Sequence, residues 1–432
     1  MLMKSLRSFT ISLFLIICST ALSAGQEKIS TDTIRTLFRE IKATTNKYKD
    51  LWNIDLYGPI LLADQGTRTL FSNFPDSAGI LKQNGEIFSG IMPGNMNIAN
   101  TAITWSGRSW AMIMLPLPAN KSERLDLLSH ELFHRSQAAL GFKMNNPANN
   151  HLDQKEGRIY LRLELEALRQ ALISESAAET SLHLAYALYF RNHRYSIYPD
   201  ARPGENSLEL NEGLAEYTGI FMSGRDNKQT EHYFENKISG FQNYPTFVRS
   251  FAYLTTPLYG FLLSKYDKYW NRQVDNNTNL TDFFINAFRI NIPDNPEKET
   301  LNQYGFSEIV AEETKREEKT KQLILELKKI FIENPHLEIR FEKMNISFDP
   351  RNIMPLEGYG TVYPSLKVID NWGILTVSDG ALLGTSWDKI TLSEPTQIEK
   401  DKVTGNGWTI DLKSGYIVKK NSSDNNYSLQ KK

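Results

Sequence analysis

The period of the hydrophobic pattern changes once along this chain, and that change constrains the fold more than any other feature. Between about residue 119 and Asn334-Pro335 the apolar residues mostly recur at helical spacing. Beyond Pro335 they come in short alternating runs cut by Gly, Pro, Asp and Asn. Spacings of about 3.6 and 2.0 residues belong to different layers of structure. The pattern therefore predicts an α+β chain: a mainly helical domain with an N-terminal sheet over residues 27–335, then a small all-β domain over 336–432. Within the first domain, residues 27–118 read as a helix plus sheet and 119–335 as the helical part.

Residues 28–48 carry Ile34, Leu37, Phe38 and Ile41 on one helical face. Strands are expected at residues 57–62, 67–71, 86–91 and 102–105, punctuated by turns such as Asn84-Gly85 and Ser106-Gly107. Residues 110–117 form a further apolar strand that Pro116 and Pro118 push toward a sheet edge. An edge strand beside a site can hold an extended peptide by backbone pairing. Helical patterns follow from Asn120, a capping residue with Glu123 three positions on, to about Leu140, then over residues 156–174, 177–190 and 208–221. The charged stretch 307–333 reads as a solvated outer helix. Glu164, Glu166, Arg158, Arg162 and Arg169 read as charge pairs on a solvated helix face.

The first residues have the form of a secretory signal peptide over residues 1–24. Lys4 and Arg7 precede an apolar stretch from Phe9 to Leu22, and Ala21-Leu22-Ser23-Ala24 supplies small residues before a polar segment. That stretch is shorter than the ~20 residues of a membrane span. The expectation is an exported chain with no stable membrane span. A minority reading makes Cys18 a lipidated residue, although Ile16 and Ile17 stand where small residues are preferred.

Cys18 is the sole cysteine among 432 residues, so intramolecular disulfides and thiolate metal sites are excluded. Any metal must be held by His, Asp or Glu. Lys and Arg number 49 against 50 Asp and Glu, a balance that offers no basic field for a phosphate backbone. Nucleic acid is thus an unsuitable partner.

His130-Glu131-Leu132-Phe133-His134 supplies the chemistry. Two histidines four apart on a helix share a face, so both imidazoles reach one zinc ion, and Glu131 stands beside the metal as a general base for its water. A catalytic site needs a third protein ligand and an open position. Gln137 and Leu140 occupy the places where the metzincin pattern has Gly and His. Downstream, Leu210-Asn211-Glu212-Gly213-Leu214-Ala215-Glu216-Tyr217 resembles the N-E-G-x-A segment of gluzincins, the thermolysin and aminopeptidase-N type of metallopeptidase.

That resemblance spans about a quarter of the chain, and it departs from the family in the long separation, residues 135–211, between His134 and Glu212. It implies a zincin-like catalytic domain with one zinc held by His130, His134 and Glu212, and Glu216 orienting a ligating histidine. It also implies a peptide or protein substrate, with Arg249, Tyr253 and Tyr259 as candidates for stabilising the oxyanion. The exopeptidase motif G-x-M-E-N is absent; Asn97 follows Met96 instead. Two other functions fit the same residues: a catalytically silent binding protein of the cell envelope, and a zinc hydrolase of non-peptide bonds. Oligomeric state is not encoded in any pattern seen here.

Overall fold

Ile60-Leu61-Leu62-Ala63 is apolar at four successive positions because the strand that contains it is covered on both faces. In the computed structural model, which describes residues 30–94, 96–348 and 353–432, this strand is β1 (Ile60–Asp64). The expected signal peptide at residues 1–24, including Cys18, lies outside the described residues. Around β1 are α1 (Thr31–Lys47), β2 (Thr69–Ser72), β3 (Lys82–Asn84), β4 (Ile87–Ile91), β5 (Thr101–Trp105) and β6 (Arg108–Leu115). The six strands lie in the order β3-β4-β2-β1-β6-β5, with β1 and β6 parallel and the other pairs antiparallel.

Ile60 and Leu62 point into a core shared with Ile34, Phe38 and Ile41 of α1 and with Leu125, Leu128 and Leu132. Leu61 and Ala63 point the other way, toward Trp105, Trp110, Met112, Met92 and Ile98. The expectation that the 110–117 strand forms the edge is corrected. β6 is interior, flanked by β1 and β5, and β5 is the edge. Pro116 follows Leu115, the last residue paired to β1, so its missing N–H costs the ladder nothing.

Helices follow: α2 (Lys121–Ser136), α3 (Lys155–Ile173), α4 (Ala177–Ile197), α5 (Ala201–Leu208), α6 (Leu214–Met222), α7 (Asn227–Phe241), α8 (Thr255–Ser264), α9 (Leu280–Phe288), α10 (Lys298–Asn302) and α11 (Phe306–Lys328). Asn120 caps α2 as expected, accepting the N–H groups of Ser122 and Glu123. One continuous core of Leu, Phe, Trp and Tyr side chains holds these helices together. Between α5 and α6 the chain makes a π-helical turn, Glu209–Gly213. Such widened turns recur at functional sites.

The chain divides into two compact units between Ala311 and Glu312, inside α11, rather than at the expected 335/336 boundary. The physical reason lies at the end of that helix. Ile324, Leu327, Phe331 and Ile332 pack with Leu356, Val362 and Leu382 of the β region. The stretch expected to be a solvated outer helix therefore buries one face.

The second unit contains β7 (His336–Arg340), β8 (Asn345–Phe348), β9 (Met354–Leu356), β10 (Gly360–Tyr363), β11 (Leu366–Asp370), β12 (Gly373–Val377) and β13 (Ala381–Gly384). They are followed by β14 (Lys389–Ser393), β15 (Pro395–Ile398), β16 (Lys402–Gly405), β17 (Trp408–Leu412), β18 (Tyr416–Lys420) and β19 (Tyr427–Lys431). These make two sheets, β18-β19-β7-β14-β13-β10-β9 and β15-β16-β17-β12-β11-β8. Alternate residues such as Val368, Leu375 and Ile410 from one sheet, and Leu337, Leu383 and Ile390 from the other, share one core. The mixed α+β class and the β-rich C-terminal region are as the sequence predicts. Among the described residues no helix is long and apolar enough to cross a membrane.

Candidate metal centre

Helices α2 and α6 pack directly against each other, and a glycine sets how closely. A Cβ at Gly219 would fall 2.7 Å from the backbone oxygen of Asp126, so only glycine permits this approach. The contact brings the His130–His134 face of α2 against the turn that carries Glu212. Gly213 fits equally tightly, with a Cβ placed 2.6 Å from Thr256 Cβ and 3.1 Å from the Ala252 oxygen.

His130 Nε2 lies 3.0 Å from His134 Nε2 and 3.7 Å from Glu212 Oε2, and His134 Nε2 lies 3.3 Å from the same oxygen. Ligand atoms ~2.1 Å from a tetrahedral ion are about 3.4 Å apart, and the three separations straddle that value. These residues could hold a metal ion. The far sides of the rings settle which nitrogen is free. His130 Nδ1 lies 3.0 Å from Glu216 Oε2, and His134 Nδ1 lies 2.8 Å from Gln137 Oε1. Gln137 Nε2 donates to the Asn211 carbonyl at 2.9 Å, which leaves its oxygen facing the histidine. Both partners accept, so both Nδ1 atoms carry the proton and both Nε2 lone pairs converge. Two converging lone pairs and a carboxylate oxygen are a donor set that could hold a cation between them.

The electrostatics of the protein residues agree. His130 resists charge through burial, yet its bonds to Glu212 and Glu216 and the Glu131 charge raise its pKa well above the usual histidine value. His134 is likewise raised, by Glu212 against the effect of burial. Glu212 is pushed up by burial but held well below the usual carboxylate range by His134 and His130. The pocket thus favours positive charge among its carboxylates.

Glu131 is 3% exposed, and burial raises its pKa although both histidines oppose the rise. Its Oε2 has no hydrogen-bond partner among the described residues. Glu131 lines a cavity of about 80 Å³ with His130, His134, Glu212, Tyr253 and, from the sheet edge, Thr101 and Ala102. A raised carboxyl with a free oxygen at a cavity whose residues could hold a metal ion is suited to taking a proton.

Tyr253 donates to Glu212 Oε2 at 2.6 Å and its ring stacks on His130 at 5.8 Å. Burial and the Glu212 charge hold its hydroxyl protonated well above the usual tyrosine range. Arg249 reaches Glu212 Oε1 at 3.3 Å and Asn146 Oδ1 at 3.1 Å. Tyr259 is elsewhere, and the expectation for it is corrected. It is fully buried, and its hydroxyl donates to Glu164 Oε1 at 3.1 Å, within a buried ion network. The expectation for Glu164 and Arg158 is corrected with it, because Glu164 is fully buried against Arg191 and Arg194 and Arg158 is only 2% exposed, whereas Glu166 and Arg169 do form the expected intrahelical pair at 2.7 Å.

Sequence reasoning missed Gln137, Asn146, Asn211 and Tyr233. Gln137 stands three residues after His134, close enough in the helix to be inspected as a partner. Tyr233, whose hydroxyl donates to Glu216 Oε1 at 3.4 Å, comes from α7 and carries no local signal. Arg225 pairs with Asp126 at 2.9 Å and lies 4.3 Å from the Tyr233 ring, bracing the same corner. Asp126 is pushed up to about 7, by burial first and by Glu216.

Compared with protein-family models, curated proteins and solved structures, the chain gives no match.

Proposed function

We propose that this chain is an exported zinc-dependent peptidase of the gluzincin kind, with a zincin-like fold in its first unit. The observation that carries this reading is the convergence of His130 Nε2, His134 Nε2 and Glu212 Oε2 at a cavity that also holds the unpaired Glu131 oxygen. Two imidazoles and one carboxylate, with no thiol, form a catalytic zinc set that leaves a coordination position open. When bound there, zinc supplies Lewis-acid polarisation of the scissile carbonyl and brings the pKa of a water toward ~7.

The remaining steps belong to the chain. Glu131 takes the proton of the attacking water and returns it to the leaving nitrogen. Glu216 and Gln137 fix the ring orientation and tautomer of His130 and His134. Tyr253, kept protonated, is a hydroxyl donor at the cavity for a developing oxyanion, and Arg249 steadies the far oxygen of Glu212.

The sheet edge supports a peptide as substrate. The β5–β6 hairpin turns at Ser106 and Gly107, both with positive φ, so Trp105 and Arg108 close it as a bonded pair. Counting back in the antiparallel register, Ala102 and Thr104 direct their N–H and C=O groups away from β6, toward the open edge. An extended chain laid there would pass the cavity that Ala102 lines.

Glu131→Gln tests the reading. The variant should keep one zinc per chain by elemental analysis and cleave a fluorogenic peptide library about 100- to 10,000-fold more slowly than wild type. A purified protein without stoichiometric zinc, or a variant that cuts as fast as wild type, would refute it.

A further inference from the structure

We propose that the C-terminal unit carries a carbohydrate-binding site, a cleft around Trp387 that takes a neutral oligosaccharide. The cleft has a volume of about 320 Å³ and lies among β9, β10 and the end of β13. That is the size of a small-ligand pocket, at the lower end of ~300–1,000 Å³.

Its chemistry is specific. Trp387 is 38% exposed and stands at φ 55°, a backbone conformation that a bulky residue rarely adopts. Phe348 and Tyr363 meet the indole edge to face, with centroids at 5.9 and 6.5 Å. The ring is thereby braced by aromatic neighbours while part of its surface stays open to the cleft. Glu357, Thr361 and Thr385 also line the cleft, and their side chains make no hydrogen bond among the described residues. The fold does not use these polar groups.

Glycines leave part of the wall as bare backbone. At Gly360, with φ 138°, a Cβ would stand 2.0 Å from the Leu383 oxygen, so no other residue fits this close approach. A sugar ring matches such a surface. Its C–H face is apolar and stacks on an indole, while its rim of hydroxyls donates to a carboxylate and exchanges bonds with threonine hydroxyls and peptide groups.

Competing ligands match it less well. Among the described residues no Lys or Arg lines the cleft, and the charged side chain that does is Glu357, which a phosphate or another anion would meet as a like charge. An extended peptide would need a free strand edge. The edge here is β9, three residues long with Pro355 at its centre, and proline has no N–H to donate.

The experiment titrates the full-length chain with cellohexaose, chitohexaose, maltohexaose and xylohexaose, by calorimetry and by tryptophan fluorescence. At least one sugar should bind with Kd below about 1 mM and change the fluorescence. Trp387→Ala should weaken that binding at least about tenfold. Glu357→Gln, an exposed and conservative change, should weaken it several-fold. Thermal melts of both variants should match wild type. Absence of binding across the panel, or equal binding by Trp387→Ala, overturns the proposal. So does capture of unstructured peptides that depends on Trp387 while no sugar binds, which would make the cleft a protein-docking groove.

Discussion

Replacing Arg191 with methionine would strip the central cation from a buried network that holds the Glu209–Gly213 turn, which carries Glu212, in place. Arg191 is fully buried. Its Nε donates to Glu164 Oε1 at 2.7 Å, and its two terminal nitrogens donate to Glu209 at 2.8 and 3.1 Å. Arg194 bridges Glu164 and Glu205 at 2.9 and 2.6 Å. Three carboxylates thus share two guanidiniums, and the variant leaves three with one. Removing one member of a buried pair costs about 3–5 kcal/mol, because the partner stays desolvated without compensation. At roughly 2 °C per kcal/mol for a unit of this size, the melting midpoint should fall by about 6–10 °C.

The readout extends to the metal, since Glu209 and Glu212 belong to the same π-helical turn. Calorimetric melts of the metal-free full-length chain measure the stability loss, and a chelator competition measures zinc affinity, which should also weaken. Arg191→Lys keeps the charge but loses the planar fork that spans Glu164 and Glu209, so it should fall between the two. An Arg191→Met protein that melts within about 1 °C of wild type and binds zinc equally well would refute the reasoning.

Glu216→Ala should lower zinc affinity about 10- to 100-fold, because His130 loses the carboxylate that fixes its ring; unchanged affinity in a chelator competition would remove Glu216 from the site. Gly213→Ala should destabilise the first unit and reduce zinc occupancy, since the added Cβ meets Thr256 and the Ala252 oxygen; a variant with wild-type melting and zinc content contradicts the close packing. Burial opposes ionisation of Glu205, but Arg194 and His151 hold its pKa at about 2 in the folded chain, against an ordinary value of 4.5. Its contribution is present above the unfolded value and is lost as pH falls from about 4.5 toward 2. Urea midpoints should therefore drop over that range, and Glu205→Gln should flatten the drop.

How much was legible in the sequence follows from how far each signal reaches. The period change and the Asn120 cap are encoded locally, and the sequence reading of each agrees with the structure; the two histidines, one turn apart, lie with Glu212 in a group that could hold a metal ion. Strand order is not local. Pro116 read as an edge signal because proline interrupts a ladder, yet β6 ends at Leu115 and the ladder had already closed. Burial of charge is not local either. Glu164 looks like part of a solvated helix face until α4 supplies Arg191 and Arg194 on the other side, and Arg158 does so until Asp153 and the Phe247 ring meet it. Tyr259 misled for the same reason, since its hydroxyl serves Glu164 rather than the cavity. Tyr253 sits at the site because a short helical turn at Ser250–Tyr253 places it over His130.

Two opposite demands meet on the Glu209–Gly213 turn. Glu209 is drawn toward Arg191 and Thr255 in the protein interior, while Glu212 faces the histidines at the cavity. An ordinary helix places residues three apart about 60° from each other around the axis, which tends to put both side chains on one side. A π-helical turn changes that spacing, so one carboxylate can be buried in an ion network while the other stays open to a cation. The helix gains no stability from the wider turn by itself. Its cost is offset by the Arg191 clamp on one side and, when metal is bound, by the ligand bond on the other. On the proposed function, metal binding and the integrity of the helical unit are linked, and zinc removal and Arg191→Met should act on the same five residues from opposite faces.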